Sequence, residues 1–391
     1  WGNNIYREKL KSDDLAPISF SIKMENEYND NVFSTEDDMS SGLINYIVPR
    51  FIVNSIGTRH TILFDYGLKV IRYNNIDTYS DIDLKDLNYI GHRLGLQAKR
   101  KVTDQLRLGI DERFLVSRRP TDMYIGTNRI SASKYLRNWS SPYMEYQINE
   151  RVGFTLQYTF DNLQYREFSS IYDEDTEAHT FNASFVYEKN FKTRFLLNYQ
   201  SSIRDYDGSS GYNKNQFIFG IKRKFNPEIK GEIFTGYETR KFDREIKGVV
   251  EDIKDFPGGL KLSRETKKNK VELSYNHHPV EIGEGDNYYT VNRLSLNVLF
   301  LNFQKIKFSN YFFYEWVYYD KLKGLSHGGS LKKRDDKLFG FDLYVDYLVK
   351  PWLTISLGYT RIERDSNVIK GDYKENRLFL TFEGFYELWR G

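Results

Sequence analysis

"KLFGFDLYVDYLVK", residues 337–350, sets Phe339, Phe341, Leu343, Val345, Tyr347 and Val349 at every second place, with Gly340, Asp342, Tyr344 and Asp346 between them. An extended strand sends alternate side chains to opposite faces, so one face here is apolar and the other carries two carboxylates. The polar face therefore meets either bulk solvent or an enclosed aqueous space.

The same alternation runs along the chain. Ile62, Phe64, Tyr66, Leu68 and Val70 form one apolar set, and Val152, Phe154, Leu156, Tyr158 and Phe160 form another. Phe181, Ala183, Phe185 and Tyr187 repeat it, as do Leu294, Leu296, Val298 and Phe300, then Leu378, Leu380 and Phe382. Helical spacing is absent over comparable lengths, and no apolar run approaches the roughly 18 residues of a helical membrane span. The chain reads as all-β.

Connections sort into two kinds that alternate. Those at 54–59, 149–150, 188–190, 226–228, 301–305 and 349–352 are tight. Those at 27–42, 74–84, 118–129, 166–178, 202–214, 241–256, 277–288, 319–336 and 363–375 are long and polar. Short turns at one end and long loops at the other are the pattern of a transmembrane barrel. The expected fold is an up-and-down antiparallel β-barrel of about 18 strands, with roughly 16 to 20 as the range. It occupies residues 16–391, preceded by a periplasmic segment at 1–15. The least secure strands are 43–54, which contains Pro49, and 256–264, which opens with Pro257, because proline removes a ladder donor. Both termini fall on the short-turn, periplasmic side. The start at Trp1 is read as that of a processed, exported protein.

In such a barrel the polar set faces the lumen. The candidate lumen-lining residues are Asp65, Lys69, Arg107, Asp111, Arg113, Lys192, Arg194, Lys230, Glu232, Glu238, Arg293, Lys307, Glu315, Asp342 and Asp346. A charge on the lipid face at the bilayer midplane costs about 2–4 kcal/mol, so a set this large cannot lie there. Aromatics abound, with 31 Tyr and 28 Phe among 391 residues. Tyr158, Tyr187, Tyr199, Trp316, Tyr318 and Tyr359 are expected near strand ends as interfacial girdles.

Charged residues make up 28% of the chain, yet the net charge is +3, which gives no support for a nucleic-acid partner. The absence of cysteine excludes disulfides, thiolate metal sites and c-type haem attachment. Adjacent His277 and His278 point oppositely on a strand, and "DEDTE" at 173–177 lacks the EF-hand spacing, so no metal or other cofactor is expected. No Ser lies in a G-x-S-x-G context, and no catalytic residue is assigned. The expectation is a protein that is not an enzyme.

The stretch "SIKMENEYNDNVFSTEDDMSSGLINYIVPRF" at 21–51 resembles the β-barrel porin 2 family and related outer-membrane proteins of bacterial exopolysaccharide operons. Tyr28, Asn29, Asp30, Asn31 and Phe33 carry the resemblance, which covers about the first 50 residues. It implies an integral outer-membrane barrel that assists export of a secreted polysaccharide. Outer-membrane lipid, lipopolysaccharide and periplasmic polysaccharide-export proteins would be its partners. The Asn-Asp-Asn run read by itself is a turn whose side chains bond the backbone. A diffusion porin for small solutes and a barrel sheath around a multihaem cytochrome stand as alternatives. Outer-membrane barrels commonly finish on an aromatic residue and this chain ends "FYELWRG", so either Trp389 is that residue with two positions behind it or the end is truncated.

Overall fold

In the computed structural model, residues 17–389 are described, apart from 33, 35, 37–38, 40, 78–87, 119–133, 167–173, 209, 244–251, 282–287, 302–304, 326–330 and 370. Among the described residues every regular element is a strand. In chain order they are β1 (Ile18–Asn29), β2 (Ser41–Ile56), β3 (His60–Asp77), β4 (Tyr89–Lys101), β5 (Leu106–Ser117), β6 (Tyr135–Asn149) and β7 (Val152–Tyr165). Next come β8 (Thr176–Asn190), β9 (Thr193–Tyr206), β10 (Tyr212–Lys224), β11 (Ile229–Phe242), β12 (Ile253–Asp255) and β13 (Gly258–Glu265). The last are β14 (Asn269–Glu281), β15 (Tyr288–Phe300), β16 (Ile306–Leu325), β17 (Leu331–Lys350), β18 (Leu353–Ser366) and β19 (Tyr373–Trp389).

Each strand pairs antiparallel with its sequence neighbours, and β1 pairs with β19, so the sheet closes. Closure leaves no edge, which a lipid environment demands of a sheet. The 19 segments occupy 18 positions, because β12 and β13 are one strand interrupted at Phe256 and Pro257. Glu238 faces Asp255 above the break and Phe234 faces Gly259 below it, so the count across β11 is unbroken. Pro257 has no N–H to give, and the ladder stops where that donor is missing. Pro49 acts more mildly. Ile47 faces Val70 and Arg50 faces Gly67, with no slip between. Both insecure segments are thus strands, the later one spanning Gly258–Glu265.

The tight turns join β2–β3, β4–β5, β6–β7, β8–β9, β10–β11, β13–β14, β15–β16 and β17–β18 at one rim. The opposite rim carries the longer connections, several shorter than the sequence suggests. Of 319–336, only 326–330 lie between strands, and 202–214 shrinks to the residues between Tyr206 and Tyr212. Pairing continues there without apolar alternation, since neither face of the sheet meets lipid. The ends of β16 and β17 go furthest. Lys323 to Leu325 pair with Leu331 to Lys333 and with no other strand, forming a two-stranded ribbon.

The outer face is apolar. Phe20, Met24, Ile47, Ile62, Leu197, Phe217, Phe219, Ile233, Leu260 and Leu357 are all exposed, each flanked in its strand by less exposed neighbours. A face of this kind is made for lipid. Its boundary toward the long connections is drawn by tyrosines. The hydroxyls of Tyr199, Tyr275 and Tyr359 donate to the Oδ1 atoms of Asn215, Asn292 and Asn376 at 2.8, 2.8 and 2.7 Å. Tyr66 and Tyr158 meet the Nδ1 atoms of His92 and His179 at 2.9 and 2.6 Å. In all five the polar partner lies on the next strand, displaced toward the long-connection side. The girdle toward the long connections therefore runs through the middle of β7, β9 and β18, while Tyr187 stands exposed near the short-turn end of β8. Half of each of these strands stands beyond the apolar belt.

Candidate functional site: the charged inner wall

Following the register around the barrel places one set of side chains on a single face. Asp65 faces Gly95, which faces Arg113, and Gln97 faces Asp111. Arg107 faces Glu145, Arg293 faces Glu315, Lys307 faces Asp346, and Tyr311 faces Asp342. Arg194 faces Lys222, which faces Glu232, while Lys230 and Glu238 stand on the same face of β11. This is the concave face, because side chains two strands apart meet on it. Lys99 of β4 bonds Glu145 of β6 at 2.8 Å. Arg204 of β9 lies 3.9 Å from Asp161 of β7, and Tyr344 of β17 stacks near Phe379 of β19 with ring centroids 6.1 Å apart. On a convex surface such pairs would diverge. Lys69 belongs to the set as well, its ammonium 5.6 Å from the Tyr46 ring. Lys192 does not, since it sits in the two-residue turn between β8 and β9 at the rim. The pattern misplaces it because the strand ends at Asn190, whose side chain accepts from the Lys192 and Thr193 amides at 3.0 and 2.9 Å.

The wall changes character along the barrel axis. Toward the short turns its charges are paired but wet. Lys307–Asp346 at 3.7 Å, Lys222–Glu232 at 3.1 Å and Arg107–Glu145 at 3.8 Å all keep much of their surface open. Arg50 reaches Asp65 at 3.0 Å, and Arg113 chelates Asp111 while lying 5.0 Å over the Trp139 ring. Arg194 pairs with Glu188. Toward the long connections the charges are sealed. Arg240–Glu238 at 2.6 Å, Arg293–Glu315 and Arg364–Asp336 at 3.6 Å are all buried. Asp336 also accepts from Arg334 Nε at 3.0 Å and from Ser366 Oγ at 2.6 Å. Each buried acid thus has charged donors, as its desolvation requires.

Two apolar clusters lie on the inner face beside these pairs. Ile44, Tyr46, Ile71 and Tyr73 form one, and Tyr289, Val291, Phe313, Val317, Tyr319 and Leu338 form the other. The expected lumen is polar and of mixed charge, and these clusters add apolar side chains to its wall. An inward apolar residue breaks no alternation in the sequence, because the outward neighbours at this level are polar or mixed. The lumen is therefore wide and wet at the short-turn side and tightly packed at the other.

A second feature shapes the bore. A Cβ on Gly340 would overlap the Phe313 ring, one on Gly109 the Tyr143 ring, and one on Gly358 the Tyr344 ring. Each aromatic lies flat over a glycine of the adjacent strand instead of projecting inward. The rings fill space left by the absent side chains, and two of them support cations. Arg293 lies 4.5 Å over Phe313, and Lys99 lies 6.0 Å over Tyr143.

The residues behind the family resemblance have a structural task. Asn29 accepts from the Asn31 amide at 2.8 Å, the turn bond expected of an Asx side chain. Asn29 Nδ2 donates to Glu375 Oε1 at 2.7 Å, and Asn31 Nδ2 donates to the Lys374 carbonyl at 2.9 Å. Asp30 Oδ1 and Oδ2 accept from the main-chain and side-chain amides of Asn376 at 2.6 and 2.7 Å. All three fasten β1 to β19 where the barrel closes. Tyr28 points outward and is exposed. Phe33 and the 1–15 segment lie outside the described residues.

No family model matches the chain, and no curated protein is similar to it in sequence. Solved structures are similar in fold. Pseudomonas aeruginosa OccK5 (OpdH) matches with a TM-score of 0.53 at 13% identity, over 95% of this chain and 99% of that one. Pseudomonas aeruginosa OccK3 (OpdO) matches at 0.52 and 14%, over 99% of this chain and 100% of that one. The Pseudomonas aeruginosa outer membrane protein OpdK matches at 0.51 and 11%, over 94% of this chain and 99% of that one, and it has also been solved with vanillate. At these identities the likeness is one of fold: a closed antiparallel barrel of 18 positions.

Proposed function

We propose that this protein is an integral outer-membrane channel through which small polar solutes diffuse, with the short turns and both termini on the periplasmic side. The observation that carries the reading is the sorting of side chains. An exposed apolar belt covers the outside, while ion pairs open to water line the inside at the short-turn half. Barrels of this strand number enclose an aqueous space. Similarity in fold to the outer membrane protein OpdK, solved with the small molecule vanillate, supports a small solute.

Polysaccharide export, the first expectation, has less support. Similar folds come from OccK and OpdK proteins, and the segment that suggested export is engaged in closing the barrel. The packed charges at the long-connection end also suit a narrow passage better than a thick polymer. Planar-bilayer recording with the purified chain should give discrete conductance steps. Liposomes carrying it should admit monosaccharides and exclude long oligosaccharides. Membranes that stay at the conductance of bare lipid would overturn the channel reading, and rapid passage of long glucans would restore the exporter.

A further inference from the structure

At the short-turn rim, the ends of β8 to β11 and β13 enclose an open recess of about 560 Å³. Lys192, Arg194, Lys222, Lys224, Lys230 and Lys261 line it together with two carboxylates, Glu188 and Glu232. Both acids are already engaged, Glu188 by Arg194 and Glu232 by Lys222 at 3.1 Å. Lys261 is held by Glu272 at 2.7 Å. The register adds an unusual placement. Lys224 directly faces Lys230, and Arg194 directly faces Lys222. Like charges opposite each other destabilise a sheet.

Other like-charged neighbours on the inner wall have carboxylates to share. Lys214 faces Arg240, and both reach Glu238, at 3.5 and 2.6 Å. Lys101 faces Arg107, with Asp104 at 2.6 Å from the first and Glu145 at 3.8 Å from the second. For Lys224 and Lys230 only the 3.4 Å contact of Lys230 with the exposed Glu265 offsets the repulsion, and Lys224 has no acid within ion-pair distance among the described residues. Local conflict of this sort marks sites where something outside the chain completes the balance.

We propose that the recess binds a multiply charged anion, a pyrophosphate or phosphate-ester solute, at the short-turn mouth of the channel. Several cations converge on a concave, open space, and chelation by a compact polyanion would relieve the Lys224–Lys230 repulsion while drawing on the neighbouring Arg194 and Lys222. A monovalent carboxylate reaches fewer of these cations at once. The inference rests on the reading of the lumen as a water-filled passage and gives that passage a preferred class of solute.

The test is calorimetric titration of the full chain, purified in detergent, with sodium pyrophosphate and separately with sodium acetate. Saturable pyrophosphate binding is expected, with acetate at least roughly tenfold weaker. The double substitution Lys224→Gln, Lys230→Gln should weaken pyrophosphate by about tenfold or more while Lys350→Gln leaves it unchanged. Removing mutual repulsion should leave the barrel folded, which heat-modifiable gel migration verifies. No saturable pyrophosphate binding, acetate binding as tight as pyrophosphate, or an unchanged affinity in the double variant would each overturn the proposal. Titration needs no current. A barrel that binds pyrophosphate but does not conduct defeats only the channel reading, and one that conducts without binding defeats only this site.

Discussion

Asp30 and Asn376 clasp each other from opposite ends of the chain. The Asp30 amide donates to the Asn376 carbonyl at 3.1 Å, and the Asn376 amide returns the bond to Asp30 Oδ1 at 2.6 Å. Asn376 Nδ2 adds a third bond to Asp30 Oδ2 at 2.7 Å, leaving its Oδ1 to accept from Tyr359. One side chain thus joins the seam of the barrel to its aromatic girdle.

Asp30→Ala removes both side-chain acceptors at this seam. A loss of about 1–3 kcal/mol in unfolding free energy is expected, more than from a typical surface change. Urea titration of the detergent-folded protein measures it, and a double-mutant cycle with Asn376→Ala should show coupling between the two. Additive losses would mean that the clasp contributes nothing as a pair.

Asp336 holds two guanidinium groups in the sealed half of the wall. Asp336→Ala would leave Arg334 and Arg364 without their shared acid, and breaking a buried pair on one side costs roughly 3–5 kcal/mol. The variant should unfold at markedly lower denaturant than wild type. An unchanged midpoint would show that other groups carry the charge balance there.

Asp346 stands on the open half of the wall with Lys307 at 3.7 Å, and Asp342 lies deeper, half-buried and bonded by the buried Thr360 hydroxyl at 2.7 Å. Reversing both, Asp342→Lys with Asp346→Lys, should shift the reversal potential in a potassium chloride gradient toward anion selectivity. Insertion into membranes should persist. Identical selectivity in wild type and variant would remove these residues from the conducting path.

Phe219 lies on the exposed outer face between the girdle and the short turns, opposite Leu197. Phe219→Arg should cost about 2–4 kcal/mol of membrane stability. Folding yield into lipid vesicles, read by heat-modifiable migration, is the measurement. Normal yield would contradict a lipid-facing position.

Gly340→Ala should disturb the lumen without replacing a charged residue. Its new methyl group would displace the Phe313 ring and with it the cation seated on that ring, Arg293. Single-channel conductance is expected to fall, and the conservative Phe313→Leu in the same background should restore part of it. Wild-type conductance in Gly340→Ala would show that the ring shifts freely.

The barrel was legible wherever one face meets lipid, because there the two-residue period is enforced by a solvent on each side. Residues 337–350 are such a place, and the register puts Asp342 and Asp346 on the inner face as the pattern implied. Beyond the girdle the period weakens, so 319–336 read as a loop although much of it is strand. The inward cluster around Ile44 and Ile71 was hidden for a related reason. Ile44 and Ile71 belong to none of the alternating apolar runs, and nothing local says that a barrel end is packed inside. Partnerships across great sequence distance, such as Asn29 with Glu375, leave no local trace at all. Lys192 failed on a smaller scale, by one turn residue.

The ribbon formed by the far ends of β16 and β17 has a consequence for the long-connection rim, which the proposed orientation turns to the cell exterior. Among the described residues no strand flanks it, so its outward main-chain donors and acceptors have no ladder partner, unlike those of the closed cylinder below. Amide protons there should exchange with deuterium orders of magnitude faster than those deep in the belt. A two-stranded edge of this kind also offers a template to anything that adds a strand of its own, be it antibody, phage fibre or a neighbouring copy.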